Sequence, residues 1–266
     1  MRSAGKTAFY LAVGWIVFWT LAAVSAPFLL KEHAERIAIT EALTGPSLRH
    51  GFGTDMLGRD LLSRILCGSS VSLGVSACAV LVALLLGTWL GAMAGYFGGF
   101  RERLVLAATD LFLCFPAYFL ILSVVALIGP SLWNLVWILG LTSWMGTARL
   151  VRAEVLTLKE REFVLAARAL GVGDFTILGR HLVPNAFGPV RVTAVLGLST
   201  AILTEAGLSF LGVGVQPPTP SWGNLLMDGK ASLGAAWWMI FFPGVVIFLS
   251  VLSLHVVSEE LKRHAG

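Results

Sequence analysis

Hydrophobic residues in this chain come in long unbroken stretches, and the charged residues fall in the gaps between them. A hydrocarbon layer about 30 Å thick is crossed by about 20 residues rising about 1.5 Å each. Thr7–Leu30 is free of charge between Lys6 and Lys31 and predicts one span. Ile65–Phe100 is also uncharged, with its apolar centre near Val71–Ala94, and predicts a second. Leu104–Met145 is interrupted by Asp110 and broken at Gly129-Pro130-Ser131. Proline cannot continue a helix, so the break reads as a tight turn between a third and a fourth span. Val192–Leu211 and Ala235–Val257 predict a fifth and a sixth. The continuity of these runs argues against a transmembrane barrel, whose strands alternate in short segments. The expected architecture is all-α and polytopic, with six transmembrane helices.

Composition agrees: 57% of residues are hydrophobic and 13% charged, against about 25% charged in soluble domains. That excludes a water-soluble globular protein, a disordered tail, a nucleic-acid module and a disulfide-framed secreted fold. The net charge of +4 and pI near 9.2 raise the question of an acidic ligand. The position of the charges answers it. With both termini inside, the inner segments hold 13 basic residues, among them Arg101, Arg103, Arg149, Arg152, Arg168 and Arg180, and the outer segments hold six. The outer six are Lys31, Arg36, Arg49, Arg59, Arg64 and Lys230, matched by Glu32, Glu35, Glu41, Asp55, Asp60 and Asp228. The basic pI is therefore positive-inside bias, and both termini are expected in the cytoplasm. Arg2, Lys6 and the apolar run ending in Ala23-Val24-Ser25-Ala26 imitate a signal peptide, but the run is long enough to span.

Two segments exceed simple connections: an outer one over about residues 31–70 and an inner one over about residues 146–191. Long connections in a compact protein are usually functional. In the inner one, Glu160–Leu170 is rich in helix formers and is followed by Gly171 and Gly173 as stops. Asp174 is expected to N-cap a second short helix, Phe175–His181, ended by Pro184-Asn185. Phe163, Ala166, Ala167 and Leu170 share one face at i, i+3, i+4 and i+7, and the alanines allow close approach to another surface. The competing reading is a basic amphipathic helix lying on the bilayer. It explains the arginines but not the paired alanines or the glycine.

The stretch Glu162…Ala166-Ala167…Gly171…Leu182-Val183-Pro184 resembles the cytoplasmic "EAA" loop of bacterial binding-protein-dependent ABC importers. The outer run Gly53-Thr54-Asp55-Met56-Leu57-Gly58-Arg59-Asp60-Leu61-Leu62-Ser63-Arg64 is similar to the GTD-x-x-GRD-x-x-SR signature of one branch, and Glu205-Ala206-Gly207-Leu208-Ser209-Phe210-Leu211-Gly212 through Gln216-Pro217-Pro218-Thr219-Pro220-Ser221-Trp222-Gly223 is similar to another of its motifs. Together, over about Gly53 to Gly244, they resemble the C-type permease subunit of dipeptide/oligopeptide/nickel importers. The tail Val257–Lys262 departs from the Gly-Asp-x-Leu-Arg-Asp ending of that group.

The resemblance implies a type I ABC importer permease fold in the bacterial inner membrane, forming half of a peptide pathway that works by alternating access. It implies a second permease, two cytoplasmic ATPase subunits that bind ATP and magnesium, and an extracytoplasmic binding protein. It divides the chain into residues 1–67, a transmembrane helix and outer loop, and residues 68–266, the permease core with its coupling loop at about 149–189. Glu162, Phe163, Ala166, Ala167, Leu170, Gly171 and Pro184 become the ATPase-coupling residues. Asp55, Arg59, Asp60, Gln216 and Trp222 become candidates for an outer gate or receptor contact.

The chain lacks the means to power itself. The nearest approach to a phosphate-binding G-x-x-x-x-G-K-[ST] loop, Gly223 to Lys230, has the wrong spacing and falls outside. No catalytic motif, cofactor site or metal-ligand spacing is present: His33, His50, His181, His255 and His264 stand apart, and Cys67, Cys78 and Cys114 read as small apolar residues. Two carboxylates fall inside spans and are candidates for the translocation path. Asp110 has a structural pairing with Arg101 or Arg103 as its competing reading. For Glu205, contact with a cationic substrate group competes with a packing role beside Thr204 or Ser209. Gly87, Gly91 and Gly95 repeat on one face and suit close helix packing. Import of nickel or a metal chelate by the same machine, or an ATPase-independent secondary transporter, are the alternatives.

Overall fold

The computed structural model describes the backbone of residues 2–265 and the side chains of residues 6–263. The helices are α1 (Arg2–Leu29), α2 (Lys31–Glu35), α3 (Leu61–Phe97), α4 (Gly99–Leu113), α5 (Ala117–Ile128), α6 (Leu132–Leu141), α7 (Trp144–Leu158), α8 (Glu162–Ala169), α9 (Asp174–Thr176), α10 (Val183–Asn185), α11 (Phe187–Phe210), α12 (Trp222–Lys230) and α13 (Trp238–Ala265). A wider π turn, Ile177–Leu182, joins α9 to α10. Among the described residues the nearest approach to a strand is a single bridge between Thr54 and Asp60.

Among the described residues, four helices are long and apolar enough to cross a membrane: Lys6–Leu29 within α1, all of α3, all of α11, and Trp238–Arg263 within α13. They coincide with the first, second, fifth and sixth expected spans. The region between α3 and α11 departs from expectation. α4 and α5 qualify only as a pair, and they are bent by 86° across residues 114–116. Pro116 stands at the head of α5, where a missing N–H costs nothing to that helix but ends the ladder of α4. The turn at Gly129-Pro130-Ser131 is present, with Ser131 capping α6 through Asn134 N–H at 3.1 Å.

The fourth expected span stops too early at Met145. α7 follows α6 after residues 142–143, runs to Leu158 and packs along α3, so residues 146–158 are not loop. The charge gap misplaced this boundary because the two arginines of α7 are paired. Arg149 binds Asp110, and Arg152 Nε donates to Glu102 at 2.8 Å, both partners lying on α4. Asp110 thus has a structural partner, but it is Arg149 rather than Arg101 or Arg103; Arg101 instead lies 4.3 Å over the Phe97 ring.

α3 is the central pillar, packed against α1, α6, α7 and α11. The glycine stripe is what lets α7 come so close. A Cβ on Gly87 would lie 2.6 Å from Thr147 Cβ, one on Gly95 2.8 Å from the Arg152 carbonyl oxygen, and one on Gly91 would overlap the Ala148 carbonyl oxygen. The stripe is internal packing within this chain.

Connections gather at two ends, called outer and inner after the expected sidedness. The outer end holds residues 30–60 and 211–237 over a core of Trp19, Leu61, Ile65, Ala206, Trp222 and Trp238. The inner end holds residues 159–186 over a core of Ala92, Tyr96, Val151, Val155 and Val190.

Candidate functional site

At the inner end, α8 lies across the ends of α3 and α7. Its buried face is Val164 and Ala167, packed with Val155, Ile177, Leu178 and Leu182. The sequence pattern puts Ala167 on a docking face with Phe163, Ala166 and Leu170. The structure corrects this. Ala167 is 8% exposed and its close-packed surface is the chain's own core. Phe163, Ala166 and Leu170 do remain outside, Leu170 at 83% exposure, joined by Leu165 and Phe175. Glu162 and Pro184 are exposed as well.

The segment is bolted down by polar contacts. Tyr96 Oη donates to Asp174 Oδ1 at 2.6 Å, Lys159 Nζ donates to the Gly95 carbonyl at 3.3 Å, and the Arg168 guanidinium lies 5.1 Å over the Tyr96 ring. Asp174 is therefore not the cap of the second short helix; Gly173 occupies that position. Nor does Pro184 end that helix. It sits in the first turn of α10, where its missing N–H is tolerated, and the chain runs on through Ala186 into α11. Gly171, at φ +74°, stops α8 in the left-handed region that a side chain resists. The result is an exposed apolar face on a body fixed to α3 and α7 and continuous with α11.

At the outer end, the aspartates and arginines of residues 53–64 hold the chain together. Asp55 Oδ1 accepts from the N–H groups of Leu57 and Arg59 at 2.8 and 2.9 Å. Asp55 Oδ2 accepts from Arg59 Nε at 2.7 Å and Arg64 Nη1 at 2.5 Å, and Arg64 reaches Asp228 on α12 at 3.2 Å. Asp60 caps α3, accepting from the Ser63 N–H at 2.9 Å and the Ser63 hydroxyl at 2.8 Å. His50 bridges Asp60 and Glu41 at 3.1 and 3.3 Å. A receptor contact through the buried Asp55 would have to break these bonds.

Trp222 is corrected more sharply. It is fully buried, its indole donates to the Ile65 carbonyl at 3.1 Å, and its ring meets Trp19 edge-on. It is a wedge in the outer core and offers nothing to a receptor. Gln216 is exposed, with its amide closing the turn onto the carbonyls of Gly212 and Gly214 at 3.1 Å each.

Glu205 is 0% exposed. Its Oε2 accepts from Ser72 Oγ at 3.0 Å and its Oε1 from Ser209 Oγ at 2.8 Å. Each serine in turn accepts a backbone N–H, Ser72 from Trp222 at 3.0 Å and Ser209 from Val215 at 3.0 Å. Both carboxylate oxygens thus face inward as a clamp between α3, α11 and the start of α12. Ser209 fits the packing role expected from sequence; Ser72, 133 residues away, had no signal in the sequence. Glu205→Gln replaces one acceptor with a donor and strands one serine hydroxyl. The expected cost is about 1–3 kcal/mol, read as a lower thermal midpoint of the purified protein. An unchanged midpoint with reduced uptake would return Glu205 to the path.

Among the described residues no group of His, Cys, Asp and Glu is arranged to hold a metal ion, and His264 lies outside the described side chains. Cys67 is buried, while Cys78 and Cys114 are exposed, and all three are free.

A family profile described as binding-protein-dependent transport system inner membrane component matches residues 87–264. The chain is 40% identical over 252 residues to the dipeptide transport system permease protein DppC of Alkalihalophilus pseudofirmus, covering 94% of this chain and 83% of that one. It is 37% identical over 255 residues to the glutathione transport system permease protein GsiD of Pectobacterium atrosepticum, covering 96% and 83%. Among solved structures it resembles a chain of the inward-facing MetNI methionine ABC transporter, with a TM-score of 0.57 at 18% identity, over 75% of this chain and 94% of that one. That last likeness is one of fold.

Proposed function

The chain belongs to the binding-protein-dependent transport system inner membrane components, and from that premise we propose that it is the half-pathway of an ATP-driven importer of short peptides. It is a multi-pass permease and not an enzyme; ATP hydrolysis belongs to separate subunits. In the proposal those are two cytoplasmic ATPases holding ATP and magnesium, beside a second permease and an extracytoplasmic binding protein, in a bacterial cytoplasmic membrane. In this reading the chain itself binds no cofactor. Residues 68–266 form the core, and residues 1–67 add α1 and the outer loop. The spans number six with both termini inside, α4–α5 and α6–α7 each crossing as a broken helix.

The observation that carries the reading is the rigid seating of α8. Its exposed Phe163, Ala166 and Leu170 offer an apolar face to an ATPase groove. Its underside is joined to α3 and α7 by the inner core, and its C-terminal side runs directly into α11. α3 and α11 are joined again at the outer end by the Glu205 clamp. A displacement of α8 is thereby delivered to two helices that are tied at both ends, which suits alternating access. ATP-driven closure of the ATPases would draw two such loops together and open the outer end. Hydrolysis would reset it.

Coexpression of this chain with its ATPase and second-permease partners tests the assembly. The expected result is one stable complex containing all three on size-exclusion chromatography. A chain that purifies alone and still carries substrate would contradict the proposal and favour a secondary transporter.

A further inference from the structure

Between α3, α5, the α6–α7 junction and α11 lies a niche of about 170 Å³. Its wall is apolar except for five hydroxyls, on Tyr118, Thr142, Ser143, Thr200 and Thr204, and no charged side chain lines it. The three threonines spend their protons on their own helices. Thr142 donates to the Ile138 carbonyl at 2.7 Å, Thr200 to Leu196 at 3.2 Å, and Thr204 to Thr200 at 2.8 Å. What these oxygens still offer is acceptor capacity alone. Thr200 sits ten residues from the outer end of α11, about 15 Å at 1.5 Å per residue, which is close to the middle of the span.

The niche also adjoins the break between α4 and α5. Broken backbone at membrane depth is tolerated where it is covered by protein or lines a watery cavity, because lipid supplies no hydrogen bonds. Seven consecutive residues, 113–119, are exposed across that break, and Thr200 is exposed beside it. The niche therefore opens toward the side of the chain that has to be covered or wetted.

We propose that this niche is a substrate-contact site of the permease, whose threonine oxygens accept hydrogen bonds from the N–H groups of a passing peptide. The inference rests on the peptide-permease reading above and adds its selectivity. Lacking charge, the site reads the peptide backbone and is indifferent to the charge of the side chains. It takes the place of Glu205 as the polar feature of the path.

The test uses the assembled complex in vesicles, saturated with loaded binding protein. Thr142→Val, Thr200→Val and Thr204→Val together keep shape and remove the acceptors. Uptake of a labelled dipeptide should fall about tenfold, while assembly and binding-protein-stimulated ATP hydrolysis stay at wild-type levels. A dipeptide with an N-methylated amide should be carried slowly by the wild type, and the triple variant should no longer distinguish it from the parent peptide. Acidic, neutral and basic dipeptides should lose uptake alike. If the triple variant assembles poorly, Thr200→Val at its exposed position carries the same comparison. A variant that transports at the wild-type rate, or one that keeps the methylation preference, would overturn the inference. Wild-type complex that carries no peptide at all would overturn the underlying reading instead.

Discussion

Gly91→Leu should leave little folded protein in the membrane. The α3–α7 seam has its tightest point there, where even a single Cβ would overlap the Ala148 carbonyl oxygen. That obstacle is backbone and cannot rotate away, so the helices must separate along the seam. Overpacking of a well-packed core typically costs about 1–3 kcal/mol, and the cost here should reach or exceed the upper end. Separation would also pull Arg149 and Arg152 away from Asp110 and Glu102, leaving charges unpaired at membrane depth. The check is the yield and thermal midpoint of detergent-solubilised protein. Gly146→Leu is the control on α7 itself, because nothing lies within 4 Å of that position; its midpoint should stay near wild type. Equal loss from both substitutions would mean that the seam has no special tightness.

The second large effect separates docking from support. Leu170→Asp changes a side chain that is 83% exposed, so the folded chain should keep its thermal midpoint. Association with the ATPase should nonetheless be lost, because the substitution puts a charge on the apolar face offered to the groove. Ala167→Glu acts one layer deeper. It drives a carboxylate among Val155, Val164, Ile177 and Leu178, at a cost of several kcal/mol for a buried unpaired charge. It should lower the midpoint and loosen α8 from α3 and α7. Any complex that still forms should hydrolyse ATP without moving substrate. Co-purification, midpoint and the ratio of ATP hydrolysed to substrate carried distinguish the two outcomes. If Ala167→Glu leaves the midpoint intact while abolishing docking, Ala167 faces the ATPase after all.

Spans were legible where their physics is one-dimensional. α1, α3 and α11 fall within about five residues of the charge-free runs, because in lipid a long apolar stretch is almost forced to be a helix; α13 starts near its run but continues past Val257 through the charged tail to Ala265. α7 was not legible. Its arginines end the apolar run in sequence, yet in space each has a carboxylate on α4, and pairing across 39 or 50 residues leaves no local trace. A lone proline marks the bend at Pro116 less plainly than the Gly129-Pro130 pair marks its turn. In the inner segment, helical spacing found the right residues but not their direction. Val164 and Ala167 turn inward because α3 and α7 lie beneath them. The outer motifs are recognisable as patterns, but the sequence does not show that they are engaged within the chain. Asp55, Asp60 and Trp222 hold α3, α12 and the outer loop together, a role that depends on Arg64, Asp228 and Ile65. Glu205 was marked for its rarity, and its true partners became visible only when α3 was placed beside α11.

Under the proposed function, this chain carries peptides only when partner ATPases drive it through α8. Vesicles containing the full complex, loaded inside with ATP and magnesium on the ATPase side, measure that dependence directly through uptake of a labelled dipeptide supplied with the binding protein. Accumulation should require ATP, the binding protein and an intact Leu170, and ion gradients alone should not support it. Accumulation without ATP or without the ATPase subunits would contradict the proposal.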